Sequence, residues 1–226
     1  MRLRKKKNLD ERLDRVKEYL VSVEGADFYY KPERKDQVKV DLDKAFADRV
    51  DRPLYLELGC GKGKFVCEMA KKYPTVNFIA LEKVPNVLVS AVERAQSENL
   101  DNVRFICGSA ENLLLFLDEN TVDRLFLNFS CPYPKHTYAN HRLTHPKFLK
   151  LYKQLMKDGA RIEQKTDNMG LFEFSIEQLS KEGFVLGNIS LDLHNSGVED
   201  NVMTEYESNF VSIGKPIYRL EAVWHK

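Results

Sequence analysis

The feature that most constrains this chain is an apolar run that stops in a cluster of glycines. Leu54-Tyr55-Leu56-Glu57-Leu58 leads directly into Gly59-Cys60-Gly61-Lys62-Gly63. Five residues of this composition, ended by turn formers, read as a short buried strand. Beyond the glycines, Phe65, Met69 and Tyr73 recur at helical spacing. A strand-to-helix junction of this kind lets the backbone turn tightly and lets a ligand approach without a Cβ in the way. That ligand would lie at the carboxyl ends of the strands.

The same alternation continues along the chain. Asn77 to Leu81 reads as a second strand, and Pro85 suits the first position of a helix that places Leu88, Val92 and Ala95 on one face. Val103 to Cys107, Arg124 to Phe129 and Ala160 to Lys165 read as the third, fourth and fifth strands. Phe184 to Leu191 and Ile217 to Trp224 add two more, separated by one helical stretch, Met203 to Ile213, which leaves room for a late antiparallel strand. The expectation is an α/β fold with a mostly parallel seven-stranded sheet, because parallel strands need crossovers and the crossover helices cover both faces. At 226 residues and 43% hydrophobic, the chain has material for one substantial core. The expected organisation is an N-terminal extension over 1–45 and one domain over 46–226.

Several classes are excluded. The run Leu113 to Leu117 falls far short of the roughly 20 apolar residues of a membrane span. Arg2, Arg4, Lys5, Lys6 and Lys7 imitate the start of a signal peptide, but Asp10, Glu11, Arg12 and Asp14 follow where an apolar stretch belongs. Cys60, Cys67, Cys107 and Cys131 form no C-x-x-C pair, so reduced thiols in a cytoplasmic setting are expected, with no metal. Formal net charge is +1, yet residues 1–17 carry +8 and −3, a net of +5, which leaves −4 for the remaining 209. The neutral total therefore hides a basic arm on a slightly acidic body, and a polyanion would be drawn to the arm. Its charge density reads as a solvated segment.

The glycine spacing is G-x-G-x-G, a poor match to the G-x-G-x-x-G of dinucleotide sites. Glu82 stands 19 residues past Gly63 at the end of the second strand, where a carboxylate can accept from two ribose hydroxyls. With Glu57 preceding the glycines, the loop resembles that of the class I S-adenosylmethionine-dependent methyltransferases, which have a Rossmann-like fold. The resemblance implies S-adenosyl-L-methionine as cofactor, S-adenosyl-L-homocysteine as product, and Glu57, Gly59, Gly61, Gly63 and Glu82 as binding residues. A nicotinamide-dependent oxidoreductase is the rival that the glycine spacing disfavours.

A second segment is more specific. Asn128-Phe129-Ser130-Cys131-Pro132-Tyr133-Pro134-Lys135 resembles the N-F-S-D-P-W-P-K segment of the bacterial tRNA (guanine-N7)-methyltransferases, and Arg142-Leu143-Thr144 ends a stretch like theirs. Lys165-Thr166-Asp167 and Thr204-Glu205-Tyr206-Glu207-Ser208-Asn209-Phe210 resemble that family's K-T-D and T-x-Y-E-x-x-F motifs. The likeness covers roughly residues 25–224. It implies tRNA as partner and a guanine in the variable loop as target; a monomer or homodimer is expected, with the sequence silent on which. Ser109 stands where the family faces the adenine with an acid or amide. Lys135, Asp167, Thr204, Glu205, Tyr206 and Glu207 match substrate positions, and Asp167 and Glu207 would hold the guanine edge during catalysis.

The family's catalytic aspartate, which also borders the cofactor, falls at Cys131. Guanine N7 carries a lone pair that attacks a sulfonium methyl directly, so alignment and charge stabilisation carry the catalysis. Asp167 and Glu207 remain to stabilise the positive purine, so activity is expected to survive. Two alternatives stay open: a thiolate nucleophile at Cys131, as in cytosine-C5 methylation, and an RNA-binding protein that kept the fold without the reaction. Tyr133, Tyr138 and His136 are candidates to stack on an unstacked base or to pack on the sheet. Of the stretch that is basic in the family, Thr137 to His141 is not, and only Arg142 is certainly charged. His145 is assigned no chemistry, and His194 and His225 have no partner visible in the sequence.

Overall fold

In a computed structural model that describes residues 6–21, 39–47 and 51–226, the leucine run forms β1 (Leu54–Leu58) with Leu54, Leu56, Glu57 and Leu58 buried. It is followed by α3 (Lys64–Lys72), β2 (Asn77–Glu82), α4 (Pro85–Ser97), β3 (Val103–Cys107) and the short α5 (Leu113–Phe116). Then come β4 (Val122–Asn128), α6 (Pro146–Leu155), β5 (Met156–Thr166), α7 (Met169–Lys181), β6 (Val185–Ser190), α8 (Glu205–Ser212) and β7 (Tyr218–Val223). Ahead of β1 lie α1 (Leu9–Arg15) and α2 (Leu42–Phe46). The strands form a seven-stranded sheet in the order β3-β2-β1-β4-β5-β7-β6. The expected mostly parallel α/β sheet is present, and β7 is its antiparallel strand, paired with β5 on one side and β6 on the other.

The chain divides into two compact units, 1–117 and 118–226. In the first, β1 and β2 pair in parallel from Leu54↔Asn77 to Leu58↔Leu81, and β2 pairs with β3 from Phe78↔Val103 to Glu82↔Cys107. The three carboxyl ends are therefore level. Leu88, Val89, Ala91, Val92 and Ala95 of α4 are fully buried. Asn102 ties the opposite end together, its amide donating to the carbonyls of Ala70, Tyr73 and Val76.

The described part of the N-terminal extension is packed rather than solvated. Leu9, Leu13 and Val16 are buried, α1 lies against α4, and Arg12 makes a two-pronged bond to Glu93 at 2.7 and 2.5 Å. Lys6 donates its backbone N–H to Asn86 Oδ1 and its ammonium to Ser90 Oγ at 2.7 Å. Leu20 then bridges to Phe105 in parallel, and the Val21 amide donates to the Phe105 carbonyl. Charge density alone did not foresee this, because Leu9, Leu13 and Val16 recur at helical spacing beneath the charges. Arg2, Arg4 and Lys5 lie outside the described residues.

In the second unit, β4 pairs with β5 in parallel and β5 with β7 from Arg161↔Val223 to Thr166↔Tyr218. One face is apolar, with Ile162, Leu220 and Ala222 fully buried. The other holds an ionic lattice in which Arg124 and Arg219 both reach Glu163, and Arg219 also reaches Glu221.

Candidate functional site

The glycine loop takes its shape from left-handed backbone. Gly59, Gly61 and Gly63 have φ of 78°, 59° and 78°, a region that residues with a Cβ rarely adopt. The reasons for glycine differ. A Cβ on Gly63 would stand 2.7 Å from Ala91 Cβ and 2.9 Å from its Cα, so this position is where α4 presses on the loop. A Cβ on Gly61 would meet nothing within 4 Å, so the loop is open on that side. The amides of Gly59 and Cys60 both donate to the Leu81 carbonyl, which ties the loop to the end of β2.

Glu82 ends that strand half-buried. Its Oε2 accepts from the Gly61 amide at 3.3 Å and its Oε1 from the Val84 amide at 2.9 Å. A carboxylate has about four acceptor sites, so both oxygens retain capacity for hydroxyl donors. Glu57 is buried within β1. Ser109, after β3, caps a short 3-10 turn by accepting from the Glu111 amide. Burial pushes the Cys60 thiol up and takes Cys67 and Cys107 to about 12, so these thiols stay protonated. Among the described residues no cluster of three or more His, Cys, Asp or Glu could hold a metal ion, and no helix is long and apolar enough to cross a membrane.

In the second unit, the segment after β4 carries two non-glycine residues in left-handed backbone, Phe129 (φ 50°) and Tyr133 (φ 40°). That conformation ends β4 at Asn128, one residue before the sequence-based expectation. Strained positions persist only where the surroundings over-determine them, and here the surroundings are visible. The Phe129 amide donates to the Lys165 carbonyl at 2.8 Å. Its ring is stacked against both Tyr206 (6.3 Å, 20°) and Phe210 (5.9 Å, 22°) of α8. Arg142 holds the far end, donating to the carbonyls of Pro132 at 3.0 Å and Tyr133 at 3.1 Å while its guanidinium lies 4.5 Å from the Phe174 ring. Cys131 is exposed between these supports. Lys135 is exposed too, at the start of a 3-10 turn (His136–His141) where Tyr133 and Tyr138 both contact His141.

The K-T-D segment divides its work. Lys165 is wholly buried and donates to Glu207 Oε2 at 2.7 Å, the Val202 carbonyl at 2.8 Å and Asn201 Oδ1 at 3.1 Å. Thr166 accepts from the Asn168 amide, and Asn168 caps α7 by accepting from Leu171. Asp167 is partly exposed and pairs with Lys215, whose ammonium lies 4.7 Å from the Phe210 ring.

Thr204 and Glu207 prove to be a capping box at the start of α8: Thr204 Oγ1 accepts from the Glu207 amide at 2.9 Å, and Glu207 Oε2 accepts from the Thr204 amide at 3.2 Å. The S/T-x-x-E signature of such a box is present in the sequence. Glu207 Oε1 accepts from Asn201 Nδ2 at 2.6 Å and lies 3.0 Å from His194 Nε2. Burial pushes the Glu207 carboxyl up, but the Lys165 charge and the bonds from Lys165, Asn201 and Thr204 outweigh it and hold the group below the ordinary 4.5. Glu205 and Tyr206, by contrast, are exposed, Tyr206 to 62%.

The structure thus joins Asp167, Thr204, Tyr206 and Glu207 to Phe129 through Lys165, Lys215 and Phe210, and leaves the side chains of Cys131 and Lys135 exposed. Sequence reasoning missed Arg142 as a loop clamp, and it missed His194. Neither carries a local sequence signal, because their partners are set by the fold.

A sequence profile described as “Putative methyltransferase” matches residues 51–220. A protein of Geobacillus kaustophilus (strain HTA426) named tRNA (guanine-N(7)-)-methyltransferase is 49% identical over 173 residues, covering 76% of this chain and 80% of the relative. One of the same name from Clostridioides difficile (strain 630) is 40% identical over 222 residues, 98% of each chain. Among solved structures, the 16S rRNA methyltransferase KamB aligns with a TM-score of 0.61 at 16% identity, over 81% of this chain and 94% of that one. A SAM-dependent methyltransferase from Aquifex aeolicus aligns at 0.53 with 18% identity, over 85% and 93%. The structural likenesses speak to the fold alone.

Proposed function

The chain belongs to the tRNA (guanine-N(7)-)-methyltransferase family, and from that premise we propose that it methylates N7 of a guanine in the variable loop of tRNA with S-adenosyl-L-methionine as donor. The observation that carries the reading is the pairing of an open glycine loop with Glu82. Gly61 leaves space for a ligand to lie on the backbone, and Glu82, oriented by the Gly61 and Val84 amides, keeps acceptor sites for ribose hydroxyls. The donor supplies an electrophilic methyl on a sulfonium; the N7 lone pair forms the new bond as the carbon–sulfur bond breaks, and the electron pair stays on sulfur.

The residues of this chain contribute position and charge. No proton has to leave N7 before attack, so Cys131 in place of the family's aspartate removes a carboxylate without removing a base. The purine becomes cationic as the methyl arrives, and Asp167 and Glu205 provide negative charge in the second unit. Tyr206 presents an exposed ring to a base.

The test is transfer of labelled methyl to unmodified tRNA, followed by strand cleavage specific for 7-methylguanine. Cleavage at one variable-loop guanine is expected. Label on cytosine, or none, overturns the reading.

A further inference from the structure

Glu207 is engaged on every side by polar groups of its own chain. Oε2 faces the Lys165 ammonium and the Thr204 amide; Oε1 faces Asn201 Nδ2 and His194 Nε2. Its side chain is fully buried, as is that of Lys165. Three hydrogen bonds, with the His194 ring nitrogen 3.0 Å from Oε1, occupy the approaches to both oxygens, so in this arrangement none remains for a guanine edge.

The engagement has a direction. Lys165 uses its ammonium on Glu207 and its carbonyl on the Phe129 amide, so one residue connects the buried carboxylate to the strained start of the exposed loop. Glu207 also fixes the first turn of α8 through the capping box, and that turn carries Tyr206 onto the Phe129 ring. His194, 27% exposed on a 3-10 turn after β6, and Asn201 bring the connection 191–203 onto the same oxygen.

We propose that His194 is a positioning residue for methyl transfer, acting through Glu207, and that Glu207 orients α8 and the Phe129–Tyr133 loop rather than contacting the guanine. This rests on the functional reading above, deepening the assignment of that site. In the T-x-Y-E motif the substrate-facing members are then Glu205 and Tyr206.

The test compares wild type, His194→Ala and His194→Gln, the last of which keeps an N–H donor of similar reach. Amide hydrogen exchange is measured at Glu207 and Phe129, whose acceptors are Thr204 Oγ1 and the Lys165 carbonyl. His194→Ala is expected to accelerate exchange at both by about tenfold, with the amides of β2 unchanged, and His194→Gln to restore both. In the methyl assay, His194→Ala is expected to lower kcat about tenfold with KM for tRNA unchanged, again restored by Gln. Unchanged exchange at Phe129, acceleration that extends to β2, or no restoration by Gln overturns the proposal. A wild-type chain that makes no 7-methylguanine overturns the functional reading, and the exchange comparison then decides the positioning by itself.

Discussion

Lys165 Nζ and Glu207 Oε2 lie 2.7 Å apart with neither side chain exposed to solvent. Removing one partner of such a pair strands the other charge in the interior, so Lys165→Met is expected to cost about 3–5 kcal/mol, read from the urea unfolding midpoint. The pH dependence follows from the lowered Glu207 pKa. A carboxyl depressed in the folded state adds stability above its unfolded value and loses it as pH falls through the folded value. Wild type should therefore lose more stability than Glu207→Gln on acidification from about pH 5 to 3. Parallel curves for the two would show that the pair is not ionised in the fold.

Arg142 is occupied by the loop it clamps, so its loss should appear in turnover. Arg142→Lys cannot serve two carbonyls and a ring at once, and kcat is expected to fall about tenfold with the salt dependence of tRNA binding unchanged. A drop in the salt slope with kcat intact would instead identify Arg142 as a phosphate contact.

Gly63 and Gly61 separate packing from backbone strain. Gly63→Ala combines a left-handed alanine with a collision against Ala91 and should lower stability by about 2–4 kcal/mol. Gly61→Ala meets no atom and should lose only about 1–2 kcal/mol, with a weakened affinity for S-adenosylmethionine in calorimetry. Equal losses of stability would refute the distinction.

Cys131 is exposed, so Cys131→Asp should leave the melting temperature unchanged. The methylation rate is expected to stay within about tenfold of wild type, because N7 needs no base. A gain of orders of magnitude from an undetectable baseline would mark the natural chain as an RNA-binding protein that has lost the reaction.

The basic arm needs two deletions. Removing residues 2–5 takes away Arg2, Arg4 and Lys5 and should lower the slope of tRNA affinity against salt by up to about 2. Removing residues 1–17 also strips Leu9, Leu13 and Val16 from α4, and its melting temperature should fall as well. An unchanged slope in the shorter deletion places the phosphate contacts elsewhere.

The sequence made the strands and the glycine loop legible because both are local. Leu54–Leu58 and Val103–Cys107 were read to the residue, since periodicity and glycine punctuation act over a few positions. The site was legible only as a set of residue types. Thr204 and Glu207 looked like substrate residues, yet their spacing is also that of a capping box, and nothing local ranks the two. His194 meets Glu207 through a loop that closes on itself, and Arg142 meets Pro132 and Tyr133 because Phe129 bends the chain. Contacts of this kind depend on where the fold returns a segment, which no window of sequence contains.

The placement of β7 between β5 and β6 has a consequence for the order in which the protein is made. On the side of β5 away from β4, Thr166 pairs with Tyr218 and Arg161 with Val223. At ribosomal rates of about 5–20 residues per second, β5 waits on the order of 3–11 s for that strand to be synthesised. During this interval the β5 edge, with Lys165 and Glu163 on it, is open to other chains. Nascent second units should therefore depend on chaperones until β7 has been made.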